Sequence, residues 1–201
     1  MKALYLLDNY SYDVIYGEKE RADLGRMLEF VHGQVDSKTL AEVPAEILKD
    51  VEVIVSGWGM AKLDTAMLVR FPRLKLVLYG AGSIKYFTSP EMWGSGVRVV
   101  SAWAANAVPV SEFALAEIIF SLKHGWRAAA EFKAGRGKRP NLQPPGTYGS
   151  TVGLISLGMI GRMVAQKLKM CSLRVVAYDP FVTPEQCKEL GVELLSLQEL
   201  F

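Results

Sequence analysis

The residues best suited to chemistry by type and spacing are Ser156, Gly158, Gly161 and Asp179. The first three lie in the run Thr151-Val-Gly-Leu-Ile-Ser-Leu-Gly-Met-Ile-Gly161, and Asp179 ends the apolar run LRVVAY. An apolar strand enters a glycine turn, a helical pattern continues to about Met170, and a second strand closes on an acid. That order suits a bound dinucleotide. Gly158 would let the backbone approach a pyrophosphate, and Gly161 would let the helix pack tightly on the strand. The amides of Met159 and Ile160 would point at the phosphates from the helix N-terminus. Asp179, 18 residues after Gly161, would accept hydrogen bonds from the adenosine ribose hydroxyls. Its charge opposes a 2′-phosphate, and Pro180 follows it rather than an arginine, so the expected cofactor is NAD rather than NADP. One position departs from the fingerprint. Ser156 stands where a glycine is usual and must enter the turn without glycine's freedom at positive φ. The alternative is a glycine turn that serves only helix–strand packing.

These residues need a scaffold of alternating strands and helices. Residues 2–7, 51–56, 74–79 and 97–100 read as strands, with an amphipathic helix over Glu18 to Val31 and another from about Asp64. A short helix starts at Ser89-Pro90-Glu91, where serine caps, proline takes the first helical position and the acid favours the positive end of the helix dipole. Near-continuous apolar strands alternating with helices indicate a parallel sheet covered on both faces. A long apolar helix is expected over Val108 to Lys123, then a loop over 133–150, then the strand–turn–helix of the dinucleotide motif. The domain boundary is placed near 100–105, giving 1–100 and 101–201. Near the end, Thr183-Pro-Glu-Gln186 opens a helix closed by Gly191, and Ser196-Leu-Gln-Glu199 opens another. One isolated turn is unstable because helix nucleation is costly. The expectation is therefore that these residues form part of a longer protein.

Composition sets bounds. Of 201 residues, 50% are hydrophobic and 22% charged, with a net charge of +2, which suits one good core or two small ones and excludes a disordered chain. The opening apolar run ends at Asp8, too short for a secretory signal, and no stretch is expected to span a membrane. Cys171 and Cys187 have no metal-ligand spacing, which points to a reducing, cytoplasmic setting and to no metal site. Lys123, Arg127, Lys133, Arg136, Lys138 and Arg139, with Trp126 and Phe132 interleaved, form a basic stretch, read as a solvated loop rather than a nucleic-acid surface. Trp58 either lines a cleft or packs in the core.

Three segments together resemble the D-isomer-specific 2-hydroxyacid dehydrogenases. STVGLISLGMIGR (150–162) followed by VVAYDP (175–180) is similar to the cofactor signature of that family. Asn106-Ala-Val-Pro-Val-Ser-Glu112 looks like the segment that opens its long helix, and Gly80-Ala-Gly-Ser83 looks like its glycine-rich substrate loop. The resemblance implies a flavodoxin-like parallel-sheet substrate domain followed by the first half of a Rossmann NAD-binding domain. It also implies interconversion of a D-2-hydroxy acid and its 2-keto acid by hydride transfer with NAD. In that reading, amides at Gly82 and Ser83 hold the substrate carboxylate, and Asn106 lies near substrate and nicotinamide. The plainer alternatives are a tight turn at Gly80–Ser83 and a helix cap at Asn106.

The family's catalytic arginine, glutamate and histidine come from motifs beyond these 201 residues, so no catalytic residue is assigned here and this stretch alone is expected to be inactive. His32 and His124 sit in no such motif and read as ordinary histidines. The resemblance further implies a homodimer formed through the helix and loop of 108–150. A different class of function, a non-catalytic NAD-binding pseudoenzyme or regulatory protein on the same scaffold, stands as the alternative. Neither a membrane nor a nucleic-acid partner is expected.

Overall fold

A computed structural model describes residues 1–135 and 142–201. The chain divides into two compact units, Met1–Asn106 and Ala107–Phe201. In the first, β1 (Lys2–Leu6) leads through α1 (Asn9–Ile15) and α2 (Glu18–Met27) to the short β2 (Glu29–Phe30). A 3₁₀ turn, Thr39–Glu42, and α3 (Ala45–Leu48) precede β3 (Val53–Ser56), which is followed by α4 (Thr65–Arg70), β4 (Leu76–Tyr79), α5 (Pro90–Gly94) and β5 (Arg98–Ser101). The five strands are parallel in the order β2-β1-β3-β4-β5. That is the flavodoxin-like order, with two neighbouring central strands, β1 and β3, whose connections leave in opposite directions.

Strand alternation sorts the first unit's core into two layers. Leu4, Leu6, Ile54, Val77 and Tyr79 enter one layer with Phe71, Phe87 and Met92. Ala3, Tyr5, Leu7, Val53 and Val55 enter the other, where Tyr12, Ile15 and Leu24 of α1 and α2 cover them. The central β3 is buried along its whole length. The expected cover on both faces fails at the edge, where β5 leaves Arg98 and Val100 exposed. The cap of α5 forms as expected, with Ser89 accepting from the Met92 amide, and α4 starts near Asp64 as expected, its carboxylate accepting from the Met67 amide.

The second unit takes in most of α6 (Trp103–Leu122), then α7 (Gly125–Ala134), β6 (Thr151–Ile155), α8 (Met159–Leu168), β7 (Arg174–Tyr178), α9 (Pro184–Glu189), β8 (Glu193–Leu194) and α10 (Leu197–Leu200). Its three parallel strands run β6-β7-β8, one half of a doubly wound sheet. Val152, Leu157, Val164, Leu168, Val175 and Ala177 form its core, against which Ala114, Leu115, Ile118 and Leu122 of α6 pack.

Several expectations need correction. The helix foreseen over 18–31 stops at Met27, because Leu28 turns extended (φ −127°, ψ 142°) and the chain pairs with β1 as an edge strand. An additional helix, α1, starts at Asp8, whose carboxylate caps the Ser11 amide. The long helix begins earlier than Val108, at Trp103, and α7 occupies ground not assigned to any element. Its start is set by His124, whose left-handed backbone (φ 53°) breaks the path between the two helices. The loop expected over 133–150 is described only in part, since residues 136–141, and with them Arg136, Lys138 and Arg139, lie outside the described residues. At 20 residues, α6 is by length and composition apolar enough to cross a membrane, contrary to the expectation of no such stretch. In this fold one of its faces is packed in the second unit's core. The single turn of α10 is also less isolated than its sequence implies, because Leu200 lies against Gly153 of β6.

Candidate functional site

The dinucleotide turn runs from the end of β6 into α8, at the carboxyl end of a parallel strand, where open α/β sheets bind ligands. Ser156 leaves β6 with φ 79°, the left-handed backbone that glycine adopts freely and that costs other residues about 1–3 kcal/mol. Its amide donates to the Tyr178 carbonyl (2.8 Å), which ties the turn to β7 one residue before Asp179. Gly158 is the N-cap of α8, and among the described residues no side chain caps that helix. The neighbouring α9 and α10 each carry a complete capping box. The amides of the first turn of α8 are thus left for a ligand, with the positive end of the helix dipole behind them.

The two glycines do different work. A Cβ on Gly161 would lie 2.2 Å from the Ser156 carbonyl oxygen and 3.1 Å from its carbon, so only glycine lets α8 start against the turn. A Cβ on Gly158 would meet nothing nearer than Ser156 Oγ at 3.8 Å. Its side of the turn is open, and a side chain there would fill the space a pyrophosphate needs.

Asp179 follows β7 and is half-buried. The Leu157 amide donates to one carboxylate oxygen (2.7 Å) and the Phe181 amide to the other (2.8 Å). These two bonds hold its carboxyl below the usual range, with Arg162 and the Ser156 hydroxyl adding in the same direction. It therefore stays charged at neutral pH beside the helix start, as an acceptor for a ribose diol should. Arg162 carries no role in the motif as read from sequence, yet its Nε donates to the Leu157 carbonyl (2.8 Å) and fixes the turn from the other side. Its place directly after Gly161 was the only sequence signal. Ser156, Gly158, Met159, Ile160, Gly161 and Asp179 are thus gathered at one turn, and the group fits NAD: open glycine, uncapped amides and a fixed anion.

In the first unit, the carboxyl end of β3 is clamped by phenols, and the Gly80 amide ties the end of β4 to it through the Ser56 carbonyl (2.8 Å). The Tyr16 hydroxyl donates to the Ser56 carbonyl (2.7 Å), and that of Tyr86 to the Gly57 carbonyl (3.0 Å). Burial pushes the Tyr16 phenol well above its ordinary pKa, so it remains a donor. The Gly80–Ser83 turn leaves β4 here. Gly80 is held by packing, since a Cβ would lie 2.5 Å from Ile15 Cγ2. At Gly82 a Cβ would lie 3.3 Å from Asn106 Nδ2, so Asn106 and the turn are brought together. Among the described residues, nothing accepts from the backbone amides of Gly82 or Ser83. Asn106 is not a cap: it lies inside the first turn of α6, and its amide donates to the Ala102 carbonyl (2.9 Å). Trp58 is 46% exposed after β3, which removes the core-packing reading. His32 is exposed, with its Nδ1 3.1 Å from the Gly33 carbonyl oxygen.

Comparison with known proteins adds the family context. Residues 115–201 match the model described as D-isomer specific 2-hydroxyacid dehydrogenase, NAD binding domain. D-3-phosphoglycerate dehydrogenase of Mycobacterium bovis is 33% identical over 181 residues, which are 89% of this chain and 33% of that protein. The chain thus spans about a third of the length of this relative. A phosphoglycerate oxidoreductase from Rhizobium etli superposes with a TM-score of 0.74 at 23% identity, covering 99% of this chain and 62% of that one. A D-lactate dehydrogenase from Aquifex aeolicus, solved with NAD and lactic acid, gives 0.70 at 24% identity over 98% and 57%. At these identities the structures speak for the fold.

Two outcomes follow from the turn. Gly161→Ala should lose about 2 kcal/mol of stability, because backbone atoms block the new methyl. Gly158→Ala should melt like the wild type yet lose the rise in melting temperature with NAD; denaturant melts and thermal shifts with and without NAD check both. Asp179→Asn tests the acid. The folded-state pKa is depressed, so the charge contributes stability above the unfolded value near 4, lost as pH falls through the folded pKa. The wild type's melting advantage over Asp179→Asn should be full at neutral pH, begin to shrink as pH falls below about 4, and disappear only once pH has fallen through the depressed folded-state pKa.

Proposed function

We propose, from the premise that this chain belongs to the D-isomer-specific 2-hydroxyacid dehydrogenase family, that it forms part of an enzyme interconverting a D-2-hydroxy acid and its 2-keto acid. The cofactor is NAD. The observation that carries the reading is the uncapped start of α8, with Gly158 open beside the fixed Asp179 carboxylate, inside the segment matched by the family's NAD-binding domain.

Hydride exchange at the hydroxyl-bearing carbon is the chemistry that NAD supplies when bound. The residues of this chain bind and orient. Gly158 and the first amides of α8 take the pyrophosphate, while Asp179 accepts from the ribose and disfavours a 2′-phosphate. Gly82 and Ser83 offer to a carboxylate two amides that have no acceptor among the described residues, and Asn106 stands beside them to orient the substrate. The arginine that binds the keto acid, and the histidine–glutamate pair that moves the proton, are proposed to lie in sequence after Phe201. The limited span of the match to its relatives supports that placement. These residues alone are then inactive.

The partners in this reading are a small 2-hydroxy or 2-keto acid and a second copy of the chain. Opposite its core-packed side, α6 exposes Val110, Phe113 and Phe120, spaced along one helical face, and α7 exposes Trp126 and Phe132. An apolar stripe of that kind marks a protein interface. A cytoplasmic location also belongs to the proposal, in keeping with the free thiols of Cys171 and Cys187.

The full-length protein should consume NADH, followed by absorbance, with at least one member of a panel of 2-keto acids. NADH binding without turnover across the panel would retain the cofactor site and sink the dehydrogenase reading. Phe113, 67% exposed, tests the dimer. Phe113→Glu should give a monomer by light scattering at an unchanged melting temperature, and a dimer that persists would place the interface elsewhere.

A further inference from the structure

We propose that Ser156 is a positioning residue for the adenosine ribose of the cofactor, supplying from its hydroxyl a hydrogen bond that the glycine usual at this place cannot make. The inference rests on the NAD-binding reading and goes beyond it, since nothing in the fingerprint gives the first position a side chain to use.

The geometry is specific to this turn. Ser156 holds the left-handed backbone that the turn demands (φ 79°), so the serine is kept where its own backbone is strained and glycine would not be. Its Oγ is 3.8 Å from where a Cβ on Gly158 would stand, so it borders the open side of the amide cradle. The next residue's amide donates to Asp179 Oδ2 (2.7 Å), and Ser156's own amide donates to the carbonyl of Tyr178, immediately before that acid. The hydroxyl borders the start of α8, which takes phosphate, and lies close enough to the carboxylate, which takes the ribose diol, to help hold it charged. Asp179 can only accept, and a backbone amide can only donate. A hydroxyl does both. It can brace the carboxylate and donate to a ribose oxygen beside it. The side chain also occupies volume next to Asp179, where a 2′-phosphate would have to fit, so it adds a steric term to the charge-based preference for NAD.

The test separates the hydroxyl from the strain. Ser156→Ala removes the hydroxyl and keeps the strained backbone, whereas Ser156→Gly removes both. NADH and NADPH affinities of the full-length protein would be measured by fluorescence titration, with melting temperatures of the free proteins alongside. Both variants should bind NADH roughly three- to tenfold more weakly, the worth of one ordinary hydrogen bond. NADPH binding should not weaken with it, so the preference for NADH falls by at least the same factor. Ser156→Gly should melt no lower than the wild type. NADH binding by Ser156→Gly as tight as the wild type's would overturn the proposal, as would a parallel loss for NADH and NADPH, which marks a distorted turn. Failure of the wild type to bind NADH would be a different result, removing the cofactor reading itself.

Discussion

The contact between the start of α8 and the carbonyl of Ser156 is the constraint on which the proposed cofactor site depends. With the Cβ position of Gly161 only 2.2 Å from that oxygen, the helix cannot begin this close to β6 with any other residue there. Move the helix outward and three things change together. The first-turn amides no longer face the open side of Gly158, the Leu157 amide loses its line to Asp179, and Arg162 loses the Leu157 carbonyl. A site for a doubly charged pyrophosphate needs donors fixed in advance, because donors that must reorganise on binding give back much of what they gain. The hydrophobic core behind the turn supplies that rigidity, with Leu157, Val164 and Leu168 buried on the sheet side.

Glycines at strand ends carry different information depending on what stands opposite them. Gly80 is hemmed in by Ile15 and the Tyr16 hydroxyl, and Gly161 by backbone, so these positions record packing. Gly158 faces space, and Gly82 faces only the amide of Asn106. A sequence displays four glycines alike, while the surroundings sort them into those that close the structure and those that leave room. Among the described residues, each unit has at least one of each kind at the carboxyl end of a parallel strand. Beside both Gly158 and Gly82, among the described residues, backbone amides are left without an acceptor, the arrangement that suits an anion.

What could be read without coordinates follows the range of the forces involved. Strands β1, β3, β4, β6 and β7 and the capped helices α4, α5 and α9 were legible, since each is set by its own apolar period or by a cap within four residues. The strand-to-acid arrangement at Asp179 was legible for the same reason, because order along the chain dictates it. The end of α2 was not. Nothing local forbids helix at Leu28, and it is the free edge of β1, distant in sequence, that draws residues 29–30 into the sheet. The break before α7 was hidden likewise, since it rests on one left-handed histidine, a residue type that signals no stop. Asn106 looked like a cap by type, and it is helical because α6 starts three residues earlier on the carbonyl of Ala102.

Ser156 shows how the two kinds of information meet. As a break in a glycine motif, it suggests a weaker site, because the backbone conformation is one that serine adopts reluctantly. In place, it stands at the edge of the only ionised group of the fingerprint and borders the open cradle. A strained residue persists when its surroundings over-determine it, and here Ser156's own amide is bound to the Tyr178 carbonyl and the next residue's amide to the Asp179 carboxylate. The strain belongs to the turn rather than to the side chain, since whatever residue follows Ile155 must take the same φ for Gly161 to seat the helix. Serine then adds a donor–acceptor to a conformation that the packing of α8 already requires, and the departure from glycine is a change of chemistry on an unchanged frame.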